Sequence, residues 1–212
     1  MRLAISQRVE IVAAYGERRD ALDQAWHPLL AQVGAVAMPV PNTPETLDDW
    51  LDQLQPEGVV LTGGNDLAHL PGAFNPAPER DATEHGLLVY AQQHHLPVLA
   101  VCRGAQMMNV FLGGAVSAVD GHVACRHAVQ LSETLAPLSG LKEVNSFHAW
   151  AIGSGELNTA SQPAAYAEDS SIEAFFHTSL PWVGLLWHPE REASPYIPQD
   201  LAVLRHLFGK SS

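Results

Sequence analysis

Short apolar runs separated by amphipathic stretches organise the first half of the chain. Leu3-Ala4-Ile5 centre a first strand over Arg2 to Ser6. From Arg18 to Val33, the residues Leu22, Ala25, Trp26, Leu29, Leu30 and Val33 recur at three- and four-residue spacing. That period predicts one amphipathic helix, ended by Gly34. Ala35 to Val40 predicts a second strand, and Thr43 before Pro44 opens a helix, because proline suits the first helical position. Gly58 to Thr62 predicts a third strand and Ala82 to His94 a third helix. The apolar run Pro97 to Val101 leads into Cys102, and a helix over Arg103 to Leu112 is closed by Gly113-Gly114. Strand and helix in alternation imply a parallel, doubly wound sheet. Between Ala115 and Trp187 the extended runs shorten, which suggests antiparallel additions. A final helix over Asp200 to Phe208 carries Leu201, Leu204, Leu207 and Phe208 on one face. No repeat, low-complexity tract or linker divides the chain, so 1–212 reads as one domain.

In a doubly wound sheet, ligands collect beyond the carboxyl ends of the strands. Arg8, Gly63-Gly64-Asn65-Asp66 and Cys102 each follow a strand and are expected on that one edge. Cys102 is the leading nucleophile candidate. A strand that ends in cysteine, with Gly104 two residues on and a helix beyond, fits a sharp turn that exposes the sulfur. A helix N-terminus also favours thiolate over thiol. A base and a group to orient it are then required. Trp182 to Trp187 is an apolar strand-like run leading into His188-Pro189-Glu190. In extended backbone His188 and Glu190 point to the same side, and Pro189 disfavours helix, so the carboxylate can accept the Nδ1 proton. The backbone N–H groups of Gly64 and Arg103 are the expected oxyanion donors, since both lie at strand ends facing the thiol.

Charge excludes some functions. With 23 acidic and 11 basic residues the net charge is −12, which argues against nucleic-acid binding. An anionic substrate would need local arginines, for which Arg8, Arg18, Arg103, Arg126 and Arg191 are available. Two cysteines, Cys102 and Cys125, offer no disulfide framework, and no stretch approaches membrane-spanning length. A soluble cytoplasmic setting is expected. Asp120, His122 and His127 match no zinc spacing, so neither metal nor cofactor is expected. Glu173 either contacts substrate or braces a strand.

Five segments resemble the class I glutamine amidotransferase-like hydrolases, in that family's order: Thr62-Gly63-Gly64-Asn65-Asp66, Cys102-Arg103-Gly104-Ala105-Gln106, Val144-Asn145-Ser146-Phe147-His148, Ser171-Ile172-Glu173-Ala174-Phe175 and Trp187-His188-Pro189-Glu190. The resemblance implies the family's flavodoxin-like α/β fold, a mostly parallel doubly wound sheet with antiparallel additions. It also implies a Cys102–His188–Glu190 triad that hydrolyses a γ-glutamyl amide through a thioester. Gln106 and the backbone of Ser146, Phe147 and His148 are implied to hold the glutamyl carboxylate and amine, and Asn65, Asp66, Arg8 and Arg18 are further candidate substrate contacts. Arg103 directly after the nucleophile resembles the stand-alone γ-glutamyl hydrolase branch. Within it, Ile5-Ser6-Gln7-Arg8, the stretch Glu17 to Trp26 and the tail Glu190-Arg191-Glu192 resemble the γ-glutamyl-CDP-amidate hydrolases of capsule phosphoramidate synthesis. Hydrolases of γ-glutamyl-γ-aminobutyrate are the alternative. So is a glutaminase subunit, and a synthetase partner is expected only for it. Trp150 and Leu186 stand where the family often has glutamine, near the expected pocket wall. The expected partner is a small γ-glutamyl molecule, and the sequence leaves a homo-oligomer open.

Overall fold

In the computed structural model, which describes residues 1–132, 135–192 and 196–209, apolar strands stack side by side with helices on both faces. The first half runs β1 (Arg2–Ile5), β2 (Arg8–Val12), β3 (Glu17–Ala21), α1 (Trp26–Ala31), β4 (Val36–Pro39), α2 (Leu47–Leu54), β5 (Gly58–Leu61), α3 (Pro78–Gln93), β6 (Val98–Val101) and α4 (Arg103–Phe111). The second half runs β7 (Ser117–Ala118), β8 (Val123–Ala128), β9 (Gln130–Leu131), β10 (Glu143–Phe147), β11 (Trp150–Ala151), β12 (Ser161–Tyr166), β13 (Ile172–His177), β14 (Trp182–Leu185) and α5 (Pro198–Phe208).

Eight strands form one sheet in the order β4-β1-β5-β6-β14-β13-β12-β9. The first five pair in parallel and the last three are added antiparallel. The five parallel strands follow the flavodoxin-like arrangement, in keeping with the fold that the family resemblance implies. The central strands are continuous apolar runs because helices cover both faces. Leu3, Ile5, Val60, Leu99 and Val101 face α1 and α5 through Trp26, Leu29, Leu30, Leu204 and Phe208. Ala4, Val59, Leu61, Val98 and Ala100 face α2, α3 and α4 through Leu51, Leu87, Leu88 and Met108. Among the described residues no helix is long and apolar enough to cross a membrane.

The predicted helix over Arg18 to Val33 is not formed as such. Arg18 to Ala21 lie in β3, which pairs with β2 in a hairpin from Arg8↔Ala21 to Val12↔Glu17, and only Trp26–Ala31 is helical. Gly16 at φ +73° makes the turn. Asp23 then accepts from Ala25 N–H at 3.0 Å, which ends the extended stretch. The helical period was carried by Trp26, Leu29 and Leu30, which are the buried residues of α1. The cross-strand pairs Arg18 and Arg19 make with β2 are invisible to a local pattern.

One buried charge network ties α3 to the carboxyl edge of the sheet. Arg80, fully buried, donates to Thr62 O at 2.7 Å, Gly64 O at 2.8 Å and Glu84 Oε1 at 2.9 Å. Arg103, at the start of α4, pairs with Glu84 and Asp81. Glu84, itself fully buried, is therefore shared by two guanidiniums that position the loop after β5 and the start of α4, and Asp81 supplies the second negative charge. Removing one member of such a network strands the opposite charge. Glu84→Gln should lower unfolding free energy by about 3–5 kcal/mol in chemical denaturation; a loss below about 1 kcal/mol would contradict this role.

Candidate active site

At the end of β6 the backbone of Cys102 turns to φ 52°, ψ −112°, a region L-residues rarely adopt, and α4 begins at the next residue. Cys102 N–H donates to Leu185 O at 2.7 Å, and Cys102 O accepts from Gln106 N–H at 3.1 Å, so both neighbouring elements hold the turn. Gly104 allows it: a Cβ there would lie 2.4 Å from Leu61 O, against backbone that cannot move aside. Arg103, as the first residue of α4, presents an amide N–H without an intrahelical acceptor.

His188 packs on the Gly63 backbone, where a Cβ would lie 2.5 Å from its Cε1. Its position is set by Asn145: His188 N–H donates to Asn145 Oδ1 at 2.9 Å, and Asn145 Nδ2 donates to His188 O at 2.8 Å. His188 Nδ1 and Glu190 Oε1 are 2.6 Å apart, and both residues are buried. The expectation of extended backbone here is corrected, because Pro189–Arg191 forms a single 3-10 turn. Proline at the first helical position is already set for such a turn, and the carboxylate still reaches the imidazole. Burial disfavours charge on His188, but the charge and hydrogen bond of Cys102, with those of Glu190, outweigh it and raise its pKa to about 9. The interactions of His188 with Cys102 and Glu190 therefore stabilise the fold fully below the ordinary imidazole value near 6.5, and the contribution is lost as pH rises through about 9.

In front of Cys102 opens a pocket of about 460 Å³. Of the residues expected there, Arg8, Gly64, Asn65, Asp66, Arg103, Gln106, Phe147 and His148 line it. Ser146 does not; it is fully buried and its hydroxyl donates to His122 O at 2.6 Å. Arg18 is drawn aside to Glu79. Asn65 lines the wall, yet its amide holds β2, accepting from Val9 N–H at 2.8 Å and donating to Val9 O at 3.0 Å. Gln106 Nε2 donates to Trp150 O at 2.8 Å. Trp150 lines the pocket, whereas Leu186 is buried in the core. The remaining arginines also have acidic neighbours: Arg8 with Glu10 at 2.7 Å, Arg126 with Glu143 and Glu192, and Arg191 with Glu190 at 3.8 Å. Arg191 additionally lies over the Phe147 ring at 4.5 Å. Cys125 is half-buried and its thiol contacts Gly121 O at 3.2 Å, away from the Cys102 turn.

Sequence reasoning missed Arg80, Glu84 and Phe74. Arg80 and Glu84 form an i,i+4 pair on α3, a spacing that ordinarily marks a solvated face. Phe74 lines the pocket while 75% exposed, and nothing in its local pattern sets it apart from a surface loop residue.

Comparisons with known proteins agree with this architecture. The chain is 30% identical over 195 residues to the γ-glutamyl-CDP-amidate hydrolase of Campylobacter jejuni, covering 91% of each. It is 26% identical to the γ-glutamyl-γ-aminobutyrate hydrolase of Escherichia coli O157:H7, covering 91% of this chain and 85% of that one. The crystal structure of a glutamine amidotransferase from Thermotoga maritima shares the fold, with a TM-score of 0.65 at 18% identity over 89% of this chain and 76% of the other. The model of the peptidase C26 family matches residues 4–190, and the chain belongs to that family of class I glutamine amidotransferase-like hydrolases.

Proposed function

We propose that the protein is a stand-alone hydrolase of γ-glutamyl amides whose chemistry is carried by Cys102, His188 and Glu190. Membership of the family supports γ-glutamyl amide hydrolysis or glutamine amidotransferase chemistry in general. The observation that carries the reading is the strained Cys102 turn with the His188–Glu190 pair beside it. In the first step the Cys102 thiolate attacks the γ-carbonyl carbon, forming a C–S bond. The C–N bond then breaks, and protonated His188 gives its proton to the departing nitrogen. Neutral His188 next takes a proton from water as the oxygen attacks the thioester, releasing glutamate and the thiolate. Glu190 keeps Nδ1–H oriented and supports the imidazolium. The Gly64 and Arg103 N–H groups serve the oxyanion, a donor of this kind contributing roughly 3 kcal/mol to lowering the barrier.

Among leaving groups, γ-glutamyl-CDP-amidate is the proposed one. Its support is the 30% identity to a hydrolase of that substrate over 91% of both chains. The shape of the pocket agrees. Its volume of about 460 Å³ leaves room for more than a glutamyl group, and exposed Phe74 with Trp150 offers aromatic faces to a base. Arg8 stands on the same wall for the diphosphate.

Mass-spectrometric assay of γ-glutamyl-CDP-amidate, γ-glutamyl-γ-aminobutyrate and glutamine should show cysteine-dependent glutamate release, fastest from the first. Cys102→Ala should lower turnover by more than about a thousandfold, and unchanged turnover would sink the mechanism. Because His188 must be protonated to serve the leaving nitrogen, kcat/KM should fall as pH rises past about 9. Glu190→Gln, which removes the counter-charge, should move that alkaline limb to lower pH; a limb that stays in place would contradict the pairing. Phe74→Ala should raise KM for the nucleotide substrate by about tenfold, equivalent to one lost stacking contact, while leaving KM for glutamine unchanged.

A further inference from the structure

Behind the pocket wall, three histidines converge on one buried carboxylate. Glu173 in β13 is fully buried, and neither carboxylate oxygen has a hydrogen-bond partner among the described residues. Its Oε1 lies 3.4 Å from His122 Nδ1, 3.5 Å from His148 Nε2 and 3.6 Å from His127 Nε2. Those three nitrogens are likewise buried and without hydrogen-bond partners among the described residues. Hydrogen bonds from nitrogen to oxygen span about 2.7–3.2 Å, so these separations are too long to be hydrogen bonds. They match instead the edge of a coordination tetrahedron: donors bound to an ion at about 2.0–2.1 Å stand roughly 3.3–3.4 Å apart. The donor atoms of His122, His148 and Glu173 all lie within 4.8 Å of one another.

The surrounding groups orient the rings for the same purpose. His122 Nε2 is 3.0 Å from Asp169 Oδ2, while Asp169 Oδ1 accepts from Ser171 N–H at 3.0 Å and Ser171 Oγ at 2.7 Å. With an ion bound, a carboxylate on the far nitrogen would fix the tautomer and leave the Nδ1 lone pair to the ion. His127 Nδ1 is 3.2 Å from Ala128 O, which holds Nε2 toward Glu173. Polar atoms left without hydrogen bonds are unfavourable where they are buried, and a cation at the point of convergence would give Glu173 Oε1, His122 Nδ1 and His148 Nε2 a common partner.

We propose that His122 Nδ1, His148 Nε2 and Glu173 Oε1 bind a divalent transition-metal ion of the zinc type, with His127 facing the fourth position. Two or three imidazoles with a single carboxylate suit zinc-like ions, whereas calcium and magnesium require mainly oxygen donors. The ion is a brace, and no catalytic step passes through it. It joins the loop before β8, the residue after β10 and β13, which are separate in sequence. His148 lines the substrate pocket, and the adjacent Phe147 meets the His188 ring edge-on at 5.6 Å. The ion thereby fixes the wall against which the substrate and the imidazole rest.

Protein purified without a metal-affinity tag should contain near-stoichiometric zinc by inductively coupled plasma mass spectrometry. After stripping with a chelator its melting temperature should fall, and added Co²⁺ should give intense visible bands of tetrahedral N/O coordination. Cys102→Ala should retain the metal and the spectrum, because Cys102–His188–Glu190 is a second donor set that a thiophilic ion could choose. Loss of the metal in Cys102→Ala, or thiolate-to-cobalt charge transfer in the wild type, would overturn the assignment. Glu173→Gln and His148→Ala should lose the metal with folded circular dichroism spectra. If either variant unfolds, stripped wild-type protein decides the matter: no zinc uptake and no cobalt bands at micromolar metal would refute the site.

Discussion

The site depends on the close approach of α4 to β5, which forces the chain to turn at Cys102. The helix can begin against Leu61 O only because residue 104 lacks a Cβ, and the turn this requires puts Cys102 at positive φ. The sulfur is thereby set at the head of a helix, facing the sheet's carboxyl edge. Everything else at that edge is arranged around this fixed point. Gly63 makes room for the imidazole, Asn145 grips both backbone groups of His188, and the 3-10 turn carries Glu190 to within 2.6 Å of Nδ1.

Charge in this protein is organised locally, within an acidic whole. Every arginine that could have recruited an anionic substrate has an acidic neighbour, and the two most buried ones, Arg80 and Arg103, converge on Glu84. Their role is positional: Arg80 holds the carbonyls of Thr62 and Gly64, and Arg103 anchors the first turn of α4. A buried guanidinium of this kind is tolerated because its fork of donors finds a carboxylate and backbone oxygens together. The same logic acts on the other wall of the pocket, where Glu173 sits among three imidazoles.

Much of this was legible in the residues. The apolar runs of β1, β5 and β6 and the strand–Cys–x–Gly–helix pattern fix the parallel sheet and place Cys102 at its edge. The helix over Arg18 to Val33 failed because a hairpin is stabilised by pairing across strands, and residues 8–12 were not yet visible as partners. Arg18 does not line the pocket in front of Cys102 for a related reason: Glu79, far away in sequence, claims its side chain, as the His122 carbonyl claims the Ser146 hydroxyl. His122, read only by local spacing, gave no metal pattern, because His148 and Glu173 arrive from the end of β10 and from β13.

The sequence by itself determined the alternation of strands and helices that builds the parallel sheet, the family, and which cysteine, histidine and carboxylate stand as the candidate triad, since each is written in a local pattern of a few residues. Tertiary structure alone decided which polar side chains face the pocket and which brace it. It also decided how Glu84 came to serve two arginines and how three histidines came to share one carboxylate. The physical reason is that burial and charge pairing are properties of neighbours in space. A short stretch of chain specifies its own backbone preference, but the partner that satisfies a buried charge comes from an element the stretch cannot anticipate.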